Sequence, residues 1–210
     1  RKLVKTTDSQ GNQTTIDATP QLILMPRSLG KSVNFHVIGL IQEVAKDPYT
    51  KWLMTHGSKD KVEDNLNQLT QMIMSPSLNW IFPDIFHESK DEYIDAGGRI
   101  TKSKINITIG ALADVSNEVG YRSVRRESTF TIGTIGINPT GQHFDGEYDD
   151  DLVTDVTSSS EKEVEKTTNY YRKGFALAQR KDRIYPRRLT GTAQYGPNTY
   201  DEIMDDVTVF

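Results

Sequence analysis

Gln21–Leu22–Ile23–Leu24–Met25–Pro26–Arg27–Ser28–Leu29–Gly30–Lys31–Ser32 is the stretch that decides the fold. Gln21 to Met25 is a short apolar run with the length of a buried strand. Pro26 to Gly30 breaks it. From Lys31 onward Val33, Val37, Leu40, Ile41 and Val44 recur at spacings of three and four, which predicts a helix. A loop that turns directly from a strand into a helix offers backbone N–H groups and the positive helix end to an anion. Gly30 lets the backbone come close to phosphates, Lys31 can reach β and γ oxygens as a point charge, and the Ser32 hydroxyl can ligate Mg²⁺. Met25 stands where the common phosphate loop has its first glycine.

Working outward, Lys46–Asp47–Pro48 ends the helix, because proline disfavours helical geometry in the residue before it. Lys51 to Thr55 reads as a second strand. Ser58 is placed to cap a helix whose stripe is Val62, Leu66, Leu69, Ile73 and Met74. Pro76 stops that helix, and Leu78–Trp80–Ile81–Phe82–Pro83 is expected to pack as an aromatic elbow. Ile94 to Gly110 suggests a hairpin turning at Gly97–Gly98, and Phe130 to Ile135 a strand exposed on one side. A helix is expected over Val164 to Ala178, after the Ser158–Ser160 cluster, and a last strand over Arg187 to Thr190. Residues 1–19 are polar and read as a loop, an arm or a weak hairpin. Strands separated by helical patterns imply βαβ units and a parallel sheet.

The chain has 210 residues, 26% of them charged and 35% hydrophobic, with a formal net charge of −4. This composition suits an ordinary soluble protein with one sizeable core. No apolar stretch is long enough to span a bilayer. There is no cysteine, which excludes disulfides and thiolate metal sites. Basic residues cluster at Arg122, Arg125 and Arg126, and again through Arg180, Arg183, Arg187 and Arg188; taken alone, either cluster reads first as a solvated face. His36, His56, His87 and His143 are scattered, so they predict no metal site. The first residue, Arg1, and the strand-like Asp206 to Phe210 suggest a piece of a longer protein.

A phosphate loop needs carboxylates on a neighbouring strand for the metal and for the attacking water. The candidate is Asp145–Gly146–Glu147–Tyr148–Asp149–Asp150–Asp151–Leu152–Val153–Thr154. The alternating ligands and closing Glu of a common Ca²⁺ loop are not met there.

Pro26 to Ser32 resembles the deviant Walker A motif of phage terminase large subunits, which replaces the first glycine and carries an arginine inside the loop. Thr140–Gly141–Gln142–His143–Phe144–Asp145, followed by Asp150–Asp151–Leu152–Val153–Thr154, is similar to the family's stretch through Walker B. Leu189–Thr190–Gly191–Thr192, followed by Tyr200–Asp201–Glu202–Ile203, looks like its coupling motif. The resemblance covers roughly residues 20 to 205. It departs from the family where Gly146, Glu147 and Asp149 interrupt the apolar run expected before the acidic pair. That pair is Asp150–Asp151 on one alignment and Asp149–Asp150 on another.

The resemblance implies a P-loop NTPase three-layer sandwich over residues 20–210, with a mainly parallel central sheet, helices on both faces and the family's nuclease domain absent. It implies an ATPase that works with Mg²⁺ in a ring of copies on the portal protein, with the small terminase subunit, packaging double-stranded DNA in the host cytoplasm without a membrane. Within that reading Lys31, with the loop Pro26, Arg27, Ser28, Leu29 and Gly30, holds the triphosphate. Ser32 and Asp150 hold the metal, and Asp151 acts on the water. Arg27 supplies charge to the γ-phosphate or pairs with the acidic loop. Thr190, Gly191 and Thr192 sense that phosphate. Arg122, Arg125 and Arg126 reach DNA or a neighbouring subunit, and the adenine-contacting glutamine is one of Gln10, Gln13 and Gln21.

Overall fold

Buried apolar residues in a βαβ rhythm produce one large sheet with helical segments packed against it. The computed structural model describes residues 3–7, 13–17, 20–95, 97–107, 128–137, 141–177, 187–193, 198–204 and 208–209. In chain order the elements are β1 (Leu3–Thr7), β2 (Gln13–Asp17), β3 (Gln21–Leu24), and a π-helical segment, Ser32–Ile38, that runs into α1 (Gly39–Lys46). Next come β4 (Trp52–His56), α2 (Lys59–Ile73), α3 (Pro76–Ile81), α4 (Lys90–Asp95), β5 (Arg99–Ile100), β6 (Lys104–Asn106) and β7 (Phe130–Thr134). The chain continues through β8 (Gly146–Asp150), α5 (Glu161–Leu177), β9 (Arg188–Gly191), α6 (Thr199–Ile203) and β10 (Thr208–Val209).

The sheet has eight strands in the order β10-β3-β9-β8-β4-β7-β6-β5. The pairings from β10 through β7 are parallel, and β6 and β5 add an antiparallel edge. The fold is therefore α/β with a mostly parallel mixed sheet. β1 and β2 form a separate antiparallel pair, Leu3 opposite Asp17; the residues between them lie outside the described ones.

Strand alternation divides the core in two. On one face Trp52, Met54, Phe130 and Tyr148 pack with Val37, Leu40 and Val44 and with the α2 stripe of Val62, Leu66, Leu69 and Ile73. On the other, Leu22 and Leu189 pack with Tyr170 and Tyr171 of α5 and Tyr200 and Ile203 of α6. β8 approaches β4 closely because Gly146 has no side chain: a Cβ there would lie 2.1 Å from the Trp52 ring.

Several local expectations are corrected. Phe130–Thr134 is buried on both faces rather than exposed on one, since Phe130 packs with the α2 stripe and the Tyr170 hydroxyl lies over Gly133. The β5–β6 hairpin turns at 101–103, where Thr101 N–H donates to the Lys104 carbonyl, and not at Gly97–Gly98. The expected aromatic elbow begins as α3, started by Pro76 behind Ser75, and leaves Trp80 83% exposed. Ser58 precedes α2 without a side-chain cap bond; its backbone N–H instead donates to His56 Nδ1 at 2.8 Å. Arg122, Arg125, Arg126, Arg180 and Arg183 lie outside the described residues. Among the described residues no helix is long and apolar enough to cross a membrane.

Candidate functional site

In a parallel sheet every strand ends at the same edge, and crevices outside those carboxyl ends are where ligands bind. The loop after β3, His56 at the end of β4, Asp150 at the end of β8 and Gly191 at the end of β9 all reach that edge. The register aligns His56 with Asp150, Asp150 with Thr190, and Thr190 with Ile23. Residues distant in sequence thus form one row.

The loop climbs away from the edge through two left-handed residues, Ser28 (φ 71°) and Gly30 (φ 68°). Pro26, Arg27, Ser28, Leu29 and Gly30 are exposed. Lys31 then turns inward and is only 7% exposed. Its Nζ lies 3.1 Å from Asp150 Oδ1 and 2.5 Å from Asp151 Oδ1. The cation nearest the acids is therefore Lys31, while Arg27 faces solvent. The π-helical segment after Lys31 carries a wider turn, a distortion common beside functional sites.

Asp150 is fully buried. Thr190 Oγ1 donates to its Oδ1 at 2.8 Å and Asn65 Nδ2 approaches Oδ2 at 3.5 Å. Burial alone would raise its pKa, but the charges of His36 and Lys31 and hydrogen bonds from Ser32 and Thr190 hold it well below the usual carboxylate range. Burial also lowers the His36 pKa, against the opposing pull of Asp150 and Asp149.

Asp151 is more open, 29% exposed, and its backbone is left-handed (φ 37°). Three bonds fix it there: its N–H donates to the Thr190 carbonyl at 2.9 Å, its carbonyl accepts from Gly57 N–H at 3.2 Å, and Thr192 N–H donates to Oδ1 at 3.1 Å. Thr190 thus touches both acids, one through its side chain and one through its carbonyl.

Asp149 points to the opposite face. Thr55 Oγ1 donates to its carboxylate, and Arg187 Nε and Nη2 donate to Oδ2 and Oδ1 at 2.5 and 3.1 Å. Arg187 Nη2 also lies 3.1 Å from Glu147 Oε1, and its guanidinium sits 4.0 Å from the Tyr171 ring centroid. Burial, the main cause, with the neighbouring Asp149 charge and hydrogen bond, raises the Glu147 pKa despite Arg187. The charges that interrupt the apolar run of β8 therefore compensate one another within the core, and the carboxylates beside Lys31 are Asp150 and Asp151.

Two residues missed in the sequence are His36 and His56. His36 Nε2 is 3.0 Å from Thr190 Oγ1 and 3.8 Å from Asp150 Oδ1. His56, Asp150 and Asp151 each place a ligand-type atom within 4.8 Å of the others. No spacing rule finds them, because the crossover connections of the sheet create the proximity. Gln21 Oε1 accepts from Arg188 Nε at 3.3 Å; the side chains of Gln10 and Gln13 lie outside the described residues. No family model and no curated protein matches the chain.

Proposed function

We propose that the chain is a Mg²⁺-dependent ATPase with a P-loop fold, the motor domain of a terminase-like DNA-packaging protein. One observation carries this reading: the buried amine of Lys31, at the end of a strand–loop–helix turn, lies against the paired carboxylates of Asp150 and Asp151. A phosphoryl-transfer site needs a cation for the triphosphate, a hard oxygen ligand for the metal and a second carboxylate for water.

The residues suit both groups. Asp150 and the Ser32 hydroxyl are hard oxygen donors fitted to Mg²⁺, and among the described residues Lys31 Nζ is buried with no hydrogen-bond partner beyond its ion pairs. Bound Mg²⁺ would neutralise charge building on the phosphoryl oxygens. Lys31 and the Ser28–Ser32 amides hold the triphosphate, drawing the amine off the carboxylates. Asp151, the more open of the acids, then orients the water and accepts its proton. Thr190 links both acids to β9, and Gly191, with Thr192 just beyond the strand, carries the change away from the site. Exposed Arg27 is free to meet the γ-phosphate.

The resemblance extends the proposal to double-stranded DNA, a portal, a small terminase subunit and a ring of copies in the cytoplasm of an infected host. Phosphate release from ATP by the full-length protein, with Mg²⁺, double-stranded DNA and portal present, tests it. Hydrolysis should need Mg²⁺ and vanish in Lys31→Ala and in Asp151→Asn. Hydrolysis that persists in both variants would overturn the proposal.

A further inference from the structure

His56 ends β4 with its ring among the acids. Its Nδ1 accepts a hydrogen bond from Ser58 N–H at 2.8 Å, so that nitrogen carries a lone pair and the neutral ring carries its proton on Nε2. A nitrogen bearing a proton cannot also ligate a metal. The closeness of His56 to Asp150 and Asp151, within 4.8 Å, therefore serves something other than coordination. Polar atoms no more than 4.8 Å apart are within reach of one shared water.

Resting on the ATPase reading, we infer that His56 is a positioning residue whose Nε2–H donor orients the Asp151 carboxylate and the water held between it and Asp150. The same turn grips Asp151 through its backbone. Gly57 N–H donates to the Asp151 carbonyl at 3.2 Å, and a Cβ on Gly57 would stand 2.7 Å from that oxygen. One three-residue turn, His56–Gly57–Ser58, thus binds the Asp151 backbone, brings the His56 ring within 4.8 Å of the Asp150 and Asp151 carboxylates, and leads into α2 at Lys59.

Two substitutions separate the two ring nitrogens. His56→Asn keeps an acceptor for Ser58 N–H, as an Asx turn does, but has nothing at the Nε2 position. His56→Gln puts an amide N–H near that position. In full-length protein with Mg²⁺ and ATP, His56→Asn should keep the wild-type melting temperature and KM while kcat falls about 10- to 100-fold. His56→Gln should recover most of the loss. Wild-type kcat in folded His56→Asn would overturn the inference. A long-range ¹H–¹⁵N imidazole spectrum of wild-type protein supplies a readout independent of hydrolysis: the Nε2–H tautomer is expected, and an Nδ1–H tautomer would refute the geometry. If Lys31→Ala hydrolyses ATP normally, the ATPase site fails, whereas the tautomer spectrum still decides the state of His56.

Discussion

Lys31 Nζ lies 2.5 Å from Asp151 Oδ1, joining the first residue after the loop to the residue that follows β8 across 120 positions of sequence. The same amine is 3.1 Å from the buried Asp150. Lysine is the cation that lets the two carboxylates share one edge of the sheet. The proposed substrate must compete with that internal pairing.

Lys31→Met should therefore destabilise the ligand-free protein as well as remove phosphate binding. Leaving a buried carboxylate without its cation costs about 3–5 kcal/mol, and the exposure of Asp151 places this variant at the lower end. The pH dependence follows from Asp150, whose folded pKa lies below its ordinary 3.8. Its stabilising contribution is full above the unfolded value and is lost as pH falls toward the folded one. Without Lys31 the folded pKa moves back toward the ordinary value, so the loss below that value should be shallower. Urea denaturation of both proteins between pH 3 and 7 checks this.

Arg187→Ala should be among the most damaging single changes on the other face of the sheet. It strands the fully buried Asp149 charge, again about 3–5 kcal/mol. Replacing the group together, with Glu147→Ile, Asp149→Leu and Arg187→Met, should recover most of that stability, because an apolar set needs no compensation. A triple variant no more stable than Arg187→Ala would show that these charges do more than balance one another.

Glu147→Gln isolates one member of the group. The raised folded pKa means that the unfolded chain gives up this proton before the folded one does. Folding is penalised increasingly as pH rises from the ordinary value of 4.5 toward the folded pKa. The amide removes that penalty and can still donate to Asp149. Its stabilising effect should be visible at pH 7 and absent below about pH 4 in paired denaturation curves.

Gly191→Ala tests how tightly the end of β9 is packed. A Cβ there would lie 2.1 Å from Tyr200 Oη, and the ring is buried. Such overpacking costs about 1–3 kcal/mol, and the smaller side chain of Tyr200→Leu should relieve part of it in the double variant. Thermal melts of the two single variants and the double variant read the coupling.

Much of this was legible in sequence because it is local. The run into Pro26 and the stripe from Val62 to Ile73 each carry their own periodicity, and β3 and α2 follow them to within a residue or two; the stripe from Val33 to Val44 instead crosses the π-helical Ser32–Ile38, where Val33 is exposed, before α1 begins at Gly39. Lys31 and the acids were visible as residue types, but which two acids face the lysine was not. That choice depends on strand alternation at Asp149 and on Arg187, 38 positions downstream. His36 and His56 looked scattered because only the order of β3, β9, β8 and β4 brings them to Asp150. Phe130–Thr134 misled for a related reason: its Thr and Gly look solvent-facing, yet Gly133 makes room for the Tyr170 hydroxyl, which would be 3.1 Å from a Cβ there.

Equilibrium binding of ATP to the full-length protein, by calorimetry with and without Mg²⁺, tests the central claim most directly, since binding needs no neighbouring subunit to complete a reaction. Wild-type protein is predicted to bind ATP more tightly with Mg²⁺, with Lys31→Ala at least about tenfold weaker, the equivalent of 1.4 kcal/mol. Wild-type protein that binds no ATP with Mg²⁺, or Lys31→Ala that binds it equally well, would contradict the account.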